Sequence, residues 1–120
     1  MSRIDKTKIK LIRLQIGCII KFERLNKGLS QEQLSVLIES TSTTIGRIER
    51  AEHSSNWEIL MQICEELDIP IGTLFKLEKK EGLLLIVKNT IKLEQKLTEE
   101  KRNYYKSLEK IIERYYSLLQ

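Results

Sequence analysis

Residues Ser30 to Ala51 read SQEQLSVLIESTSTTIGRIERA, and everything else in the chain is arranged around them. Ser30 is a good N-cap, and Gln33 stands three residues later, as a capping box requires. Leu34, Leu37 and Ile38 then recur at helical spacing. Glu39-Ser40-Thr41 breaks the pattern. Thr41 caps a second short helix, which carries Ile45 and Ile48 one i,i+3 step apart on its inner face. The outer face of that helix begins Ser42, Thr43, Thr44 and continues to Arg47. Short hydroxyl side chains and one Arg suit the floor of a DNA major groove, where hydroxyls bond base edges or phosphates and Arg pairs with guanine. The plainer reading of the three hydroxyls is a solvated, cap-friendly helix face.

Taken together, these residues resemble the helix-turn-helix of the XRE or phage-repressor/Cro type. The pattern T/S-Q-x-x-L-A-x-x-x-G-V-S-x-x-x-I-S-x-I-E-R-G runs without a gap along Ser30, Gln31, Leu34, Ser35, Glu39, Ser40, Thr41, Ile45, Gly46, Ile48, Glu49, Arg50 and Ala51. Ile16-Gly17 and Arg24-x-x-x-Gly28-Leu29 look like that family's first helix. Leu60, Ile63, Leu67-Asp68-Ile69 and Leu74-Phe75 look like its fourth and fifth. The resemblance spans Leu14 to Phe75, about half of the chain. It implies an all-α, five-helix DNA-binding domain. It also implies that Gln31 holds a phosphate, and that Arg24 and Glu49 form a structural ion pair between the first and third helices. The chain departs from the family at the turn. Glu39 replaces the turn Gly, Ser40 the buried aliphatic, and Ala51 the closing Gly. A left-handed backbone at Glu39 would carry a Cβ penalty of about 1 kcal/mol, so the sequence specifies the helices more firmly than the turn.

A chain of 120 residues suits one small domain with an appendage. The net charge of +4 mildly favours a polyanionic partner, although it also fits an ordinary solubilising surface. Its distribution is more telling. Residues 55–75 contain no Lys or Arg but carry Glu58, Glu65, Glu66 and Asp68, which turns the fourth helix away from DNA. Cys18 and Cys64 fall on the apolar sides of separate helices and read as reduced, buried small hydrophobes. With no CxxC or Cys/His cluster, neither a metal nor a cofactor is expected. No apolar run approaches the ~18 residues that span a bilayer, so the expected location is cytoplasmic.

The first ten residues carry Arg3, Lys6, Lys8 and Lys10, a basic extension that either tracks phosphates or is a frayed terminus or an early extension of the first helix. That helix is expected from Ile9 to Asn26, ended by Gly28. Lys27, Arg50 and His53 flank the two short helices and are expected to touch the DNA backbone. Asn56 should cap a fourth helix, with Trp57 as a core or interface anchor and Pro70 opening a fifth. Residues 1–77 form the expected DNA-binding domain, and residues 78–120 a C-terminal helical segment. From Leu83 to Leu118, apolar residues recur in alternating steps of three and four, a coiled-coil-like seam with one stutter at Leu93–Leu97–Lys101. Thr98-Glu-Glu either lies within one long helix or caps a second. So wide an apolar face must fold back or meet its twin. A homodimer is the expected solution, through Leu97, Tyr104, Leu108, Ile111, Ile112, Tyr115 and Leu118. Two recognition helices on a two-fold axis would read half-sites ~34 Å apart.

The function expected is a sequence-specific regulator of transcription that binds a palindromic operator in double-stranded DNA. Ser42, Thr43, Thr44 and Arg47 would read bases. Gln31, Lys27, Arg50 and His53 would hold phosphates. The alternative is a protein-interaction module, or an antitoxin or controller protein, that keeps the helix-turn-helix as scaffold. No Ser/His/Asp set, paired carboxylates or Gly-rich phosphate loop suggests an enzyme.

Overall fold

The computed structural model describes residues 5–52 and 56–119. Among these, seven α-helices form and no strand does: α1 (Lys6–Asn26), α2 (Gln31–Leu37), α3 (Ser42–Glu49), α4 (Trp57–Leu67), α5 (Ile71–Phe75), α6 (Lys80–Leu93) and α7 (Glu99–Leu118). None is long and apolar enough to cross a membrane.

The caps come from local chemistry. Ser30 and Gln33 close a reciprocal capping box at the start of α2, at 3.0 and 2.8 Å. Thr41, Asn56 and Thr98 accept from the backbone of α3, α4 and α7. The first helix starts three residues earlier than its apolar stripe suggests, because Asp5 accepts from the N–H groups of Thr7 and Lys8. Lys6, Lys8 and Lys10 therefore ride on α1 instead of forming a free arm, and Arg3 lies outside the described residues. Pro70 precedes the first residue of α5 and occupies the N-cap.

Long α1 is apolar on two sides and organises two cores. Ile19 and Ile20 face the first, with Leu34, Ile38, Ile45, Ile48, Leu60, Ile63, Leu67 and Leu74 from the next four helices. Leu11 and Cys18 face the second, with Leu83, Val87, Tyr105, Leu108 and Ile112 from α6 and α7. The two cysteines are free and buried, one in each core. Burial pushes the Cys18 thiol up to about 12, against a smaller opposing pull from the Lys21 charge.

The C-terminal seam thus closes inside the chain. It is two helices, broken at Glu94–Thr98, that fold back as a hairpin against α1. Leu108 and Ile112, expected at a dimer interface, are 8% and 0% exposed within the single chain. Tyr104, Leu97 and Tyr115 pack against the same core, Ile111 is half-buried, and Leu118 alone of that set stays exposed. The reason is the second stripe of α1: Leu11, Leu14 and Cys18, spaced i, i+3, i+7, need a cover that the first five helices do not supply. Gln15, also fully buried, ties the joint down. Its Nε2 donates to the carbonyls of Leu74 (3.2 Å) and Lys76 (2.8 Å), and its Oε1 accepts from the Glu78 N–H (2.8 Å). The boundary expected after residue 77 is therefore a stitched connection, and α1 serves both parts.

Trp57 is no core anchor; it is 69% exposed. The buried stripe of α4 begins one turn later, at Leu60, and continues through Ile63, Cys64 and Leu67.

Candidate nucleic-acid interface

The turn between α2 and α3 keeps its geometry without its glycine. Glu39 adopts φ 53°. The Glu39 N–H donates to the Val36 carbonyl (3.4 Å) and the Ser40 N–H to that of Ser35 (2.8 Å), the paired bonds of a Schellman motif. The same pair ends α1 at Gly28, α3 at Ala51 and α4 at Asp68, with φ values of 71°, 57° and 57°. Four helix ends use one device, and only the first supplies the residue that adopts it freely. At Glu39 these hydrogen bonds outweigh the Cβ penalty.

Helix α3 turns Ile45 and Ile48 inward and leaves Ser42, Thr43 and Arg47 exposed. Arg47 pairs with no carboxylate among the described residues, and the hydroxyls of Ser42 and Thr43 make no hydrogen bond there. Thr44 is half-buried, and its hydroxyl accepts from that of Thr41 at 3.0 Å, so it is the least available of the four.

What holds α3 in place is buried. Arg24 donates to Glu49 twice, Nε to Oε2 at 2.6 Å and Nη2 to Oε1 at 3.0 Å, and its Nη1 donates to the Leu29 carbonyl at 2.7 Å. Both partners are nearly inaccessible, at 5% and 4% exposure. Gln31 Nε2 adds a third donor to Glu49, at 3.0 Å. A fully satisfied buried pair contributes modest net stability, but losing one partner costs about 3–5 kcal/mol because the other charge is stranded. Gln31 reaches Glu49 across Gly46, where a Cβ would come within 3.4 Å of its amide oxygen. Gly17 does the equivalent for α1: a Cβ there would stand 2.5 Å from the Glu49 carbonyl oxygen and 2.7 Å from that of Ile48. The two helix backbones touch at this point.

The flanking cations are already engaged. Lys27 pairs with Asp68 at 2.6 Å, joining the ends of α1 and α4, and Arg50 Nε pairs with Glu52 at 2.6 Å. Gln31 keeps one amide N–H beyond its bond to Glu49. A phosphate would have to draw Lys27 and Arg50 from exposed pairs, which are worth little. His53 lies outside the described residues.

Residues 20–74 match the family model described as Helix-turn-helix. The match begins inside α1, takes in α2, α3 and α4, and ends in α5. These residues form a helix-turn-helix domain of the XRE type. The helix-turn-helix is the DNA-binding part of transcriptional regulators and does not belong to an enzyme family. No curated protein and no solved structure matches the chain.

Sequence reasoning missed a second polar cluster, partly buried, at the contact between α1 and the hairpin. Glu94 Oε1 meets Lys101 Nζ at 3.2 Å, and Glu94 Oε2 meets Lys21 Nζ at 3.7 Å and accepts from the Tyr105 hydroxyl. The Lys21 ammonium also stands 5.0 and 4.7 Å from the ring centroids of Tyr104 and Tyr105. Burial pushes Glu94 up, but the Tyr105 hydrogen bond and the two ammonium charges outweigh it and hold the carboxyl below its ordinary value. Burial pulls Lys21 down, against the Glu94 charge. Nothing in the spacing of these residues along the chain marks them as partners.

Proposed function

We propose that the protein is a sequence-specific transcriptional regulator that inserts α3 into the major groove and occupies a two-fold operator as a homodimer. The observation that carries the proposal is the contrast between the two sides of α3. Its outward side presents Thr43 and Arg47 exposed, while its inward side is fastened by Ile45, Ile48 and the Arg24–Glu49–Gln31 cluster. A reading helix needs both, because a mobile scaffold would forfeit the geometry of a bidentate base contact. Ser42, Thr43 and Arg47 read bases, with Thr44 in a supporting place. Gln31 holds a phosphate, and Lys27 and Arg50 join it by exchanging their carboxylate partners.

The dimer follows from operator logic. One short helix reads few base pairs, and two copies one turn apart read twice as many. Its interface lies outside Leu108 and Ile112, which the chain buries itself. The test is selection of binding sites from random duplex DNA beside a measurement of solution mass. An enriched two-fold site and a dimeric mass on DNA are expected. Recovery of no preferred sequence would sink the proposal.

A further inference from the structure

A groove lies between the start of α2 and the turn that joins α6 to α7. Gln31 and Ser42 line one side, Glu94, Gln95 and Lys101 the other, and Lys21 of α1 also contributes. The hairpin, whose seam suggested a partner helix, thus brings its tip beside the part of the helix-turn-helix that meets DNA. Glu94 is shared by Lys101 at 3.2 Å and Lys21 at 3.7 Å. Arg24, which also lines the groove, is neutralised by Glu49. Glu32 on the α2 side is the other acid in the lining. Lys96 follows Gln95 in the turn, is exposed, and pairs with no carboxylate among the described residues. Its carbonyl accepts from Lys101 Nζ at 3.2 Å, which ties the Lys101 side chain to the turn. In the lining Lys21 and Lys101 thus stand against Glu94 and Glu32, and Lys96 adds an unpaired ammonium group beside it.

We propose that this groove seats a backbone phosphate of the bound DNA, with Lys101 and Lys96 as donors beside Gln31. The α6–α7 hairpin then widens the footprint of the helix-turn-helix instead of serving only as its cover. The inference rests on the DNA-binding reading above. A strand whose phosphate reaches Gln31 runs past the opposite wall of the same groove. There Lys101 has a hydrogen left over after Glu94 and the Lys96 carbonyl, and Lys96, next in the chain to the lining residue Gln95, has all three. An ammonium group donates in three directions and needs no fixed plane, which suits a phosphodiester whose orientation is set elsewhere.

The test is the salt dependence of affinity for the selected duplex. It compares the unaltered protein with Lys96→Gln, Lys101→Gln and, as control, Lys110→Gln, an exposed lysine more than two helical turns from the α6–α7 turn. Each groove variant should lower the slope of log K against log salt by about one unit and weaken binding severalfold at low salt, with base preference unchanged. Lys110→Gln should leave the slope alone. Lys101→Gln also removes an ion pair to Glu94, so Lys96→Gln, which breaks no such pair, keeps the result readable if Lys101→Gln loosens the fold. Slopes identical to the unaltered protein in both groove variants would overturn the proposal while leaving the DNA reading intact. Failure of the unaltered protein to bind any duplex would overturn both.

Discussion

At the scale of single residues, the chain tolerates three local violations and enforces one strict requirement. Glu39, Ala51 and Asp68 stand in left-handed backbone, where a Cβ is penalised. Glu39→Gly removes a Cβ penalty of about 1–2 kcal/mol, offset in part by the greater freedom of glycine in the unfolded chain. A net gain of about 0.5–1 kcal/mol should appear as a higher melting temperature with DNA preference unchanged. A lower melting temperature would mean that the Glu39 side chain has a stabilising role of its own. Gly17 is the strict case. The atoms facing its missing Cβ are backbone carbonyls of α3, which cannot rotate aside. Gly17→Ala must therefore push α1 and α3 apart, at about 1–3 kcal/mol or more, and thermal unfolding should show the loss. The same substitution at Gly72, where a Cβ meets nothing within 4 Å, is the matched control.

At the scale of elements, α3 divides its labour by face. Arg47 lies on the exposed side and carries no intramolecular ion pair among the described residues, so Arg47→Ala should leave helicity and melting unchanged. It should cost about 1–3 kcal/mol of discrimination at one base position in a comparison of matched and mismatched duplexes. An equal loss across all sequences would reassign Arg47 to a phosphate. The α6–α7 pair shows how an element can mislead. Its alternating steps of three and four describe any helix with one broad apolar face, and they do not say whether the complement is another chain or an earlier helix of the same one. The complement was present in α1, whose Leu11, Leu14 and Cys18 form a second stripe. The break at Glu94–Thr98 lets both helices lie against that stripe, as one straight rod could not.

At the scale of the whole molecule, one long helix joins two cores, so the hairpin belongs to the stability of the unit. Ile112→Ala should destabilise the chain by about 2–5 kcal/mol, because it leaves a cavity in a core that is closed within one copy. The melting temperature of this variant should fall by a similar amount at every protein concentration. A fall confined to dilute samples would place Ile112 at an intermolecular contact. The same core sets the response to alkali. Burial pushes both Cys18 and Tyr104 up to about 12. Their neutral forms are favoured by folding, so the folded state binds more protons than the unfolded one above the ordinary values of ~8.5 for thiols and ~10 for phenols. The stability they contribute is intact below that range and is lost as pH climbs toward 12. Lys21, whose charged form burial disfavours, works in the opposite direction. Tyr104→Phe should flatten the decline in melting temperature between pH 9 and 12, relative to the unaltered protein.

What the sequence determined by itself is local. Caps at Ser30, Thr41 and Asn56, the Gly28 terminus, the spacing of Leu34, Ile45 and Ile48, and the hydroxyl face ahead of Arg47 depend on residues a few positions apart. They were readable because a helix joins its neighbours at three and four by its own geometry. The family pattern added the Arg24–Glu49 pair, which no spacing could supply. Only the tertiary structure decided what the apolar seam faces, that Gln15 stitches the joint, and that Lys21, Glu94 and Lys101 meet beside Gln31. Those contacts join positions dozens of residues apart. Their partners are chosen by how whole helices pack, a choice made by the total buried surface and written in no single stretch of the chain.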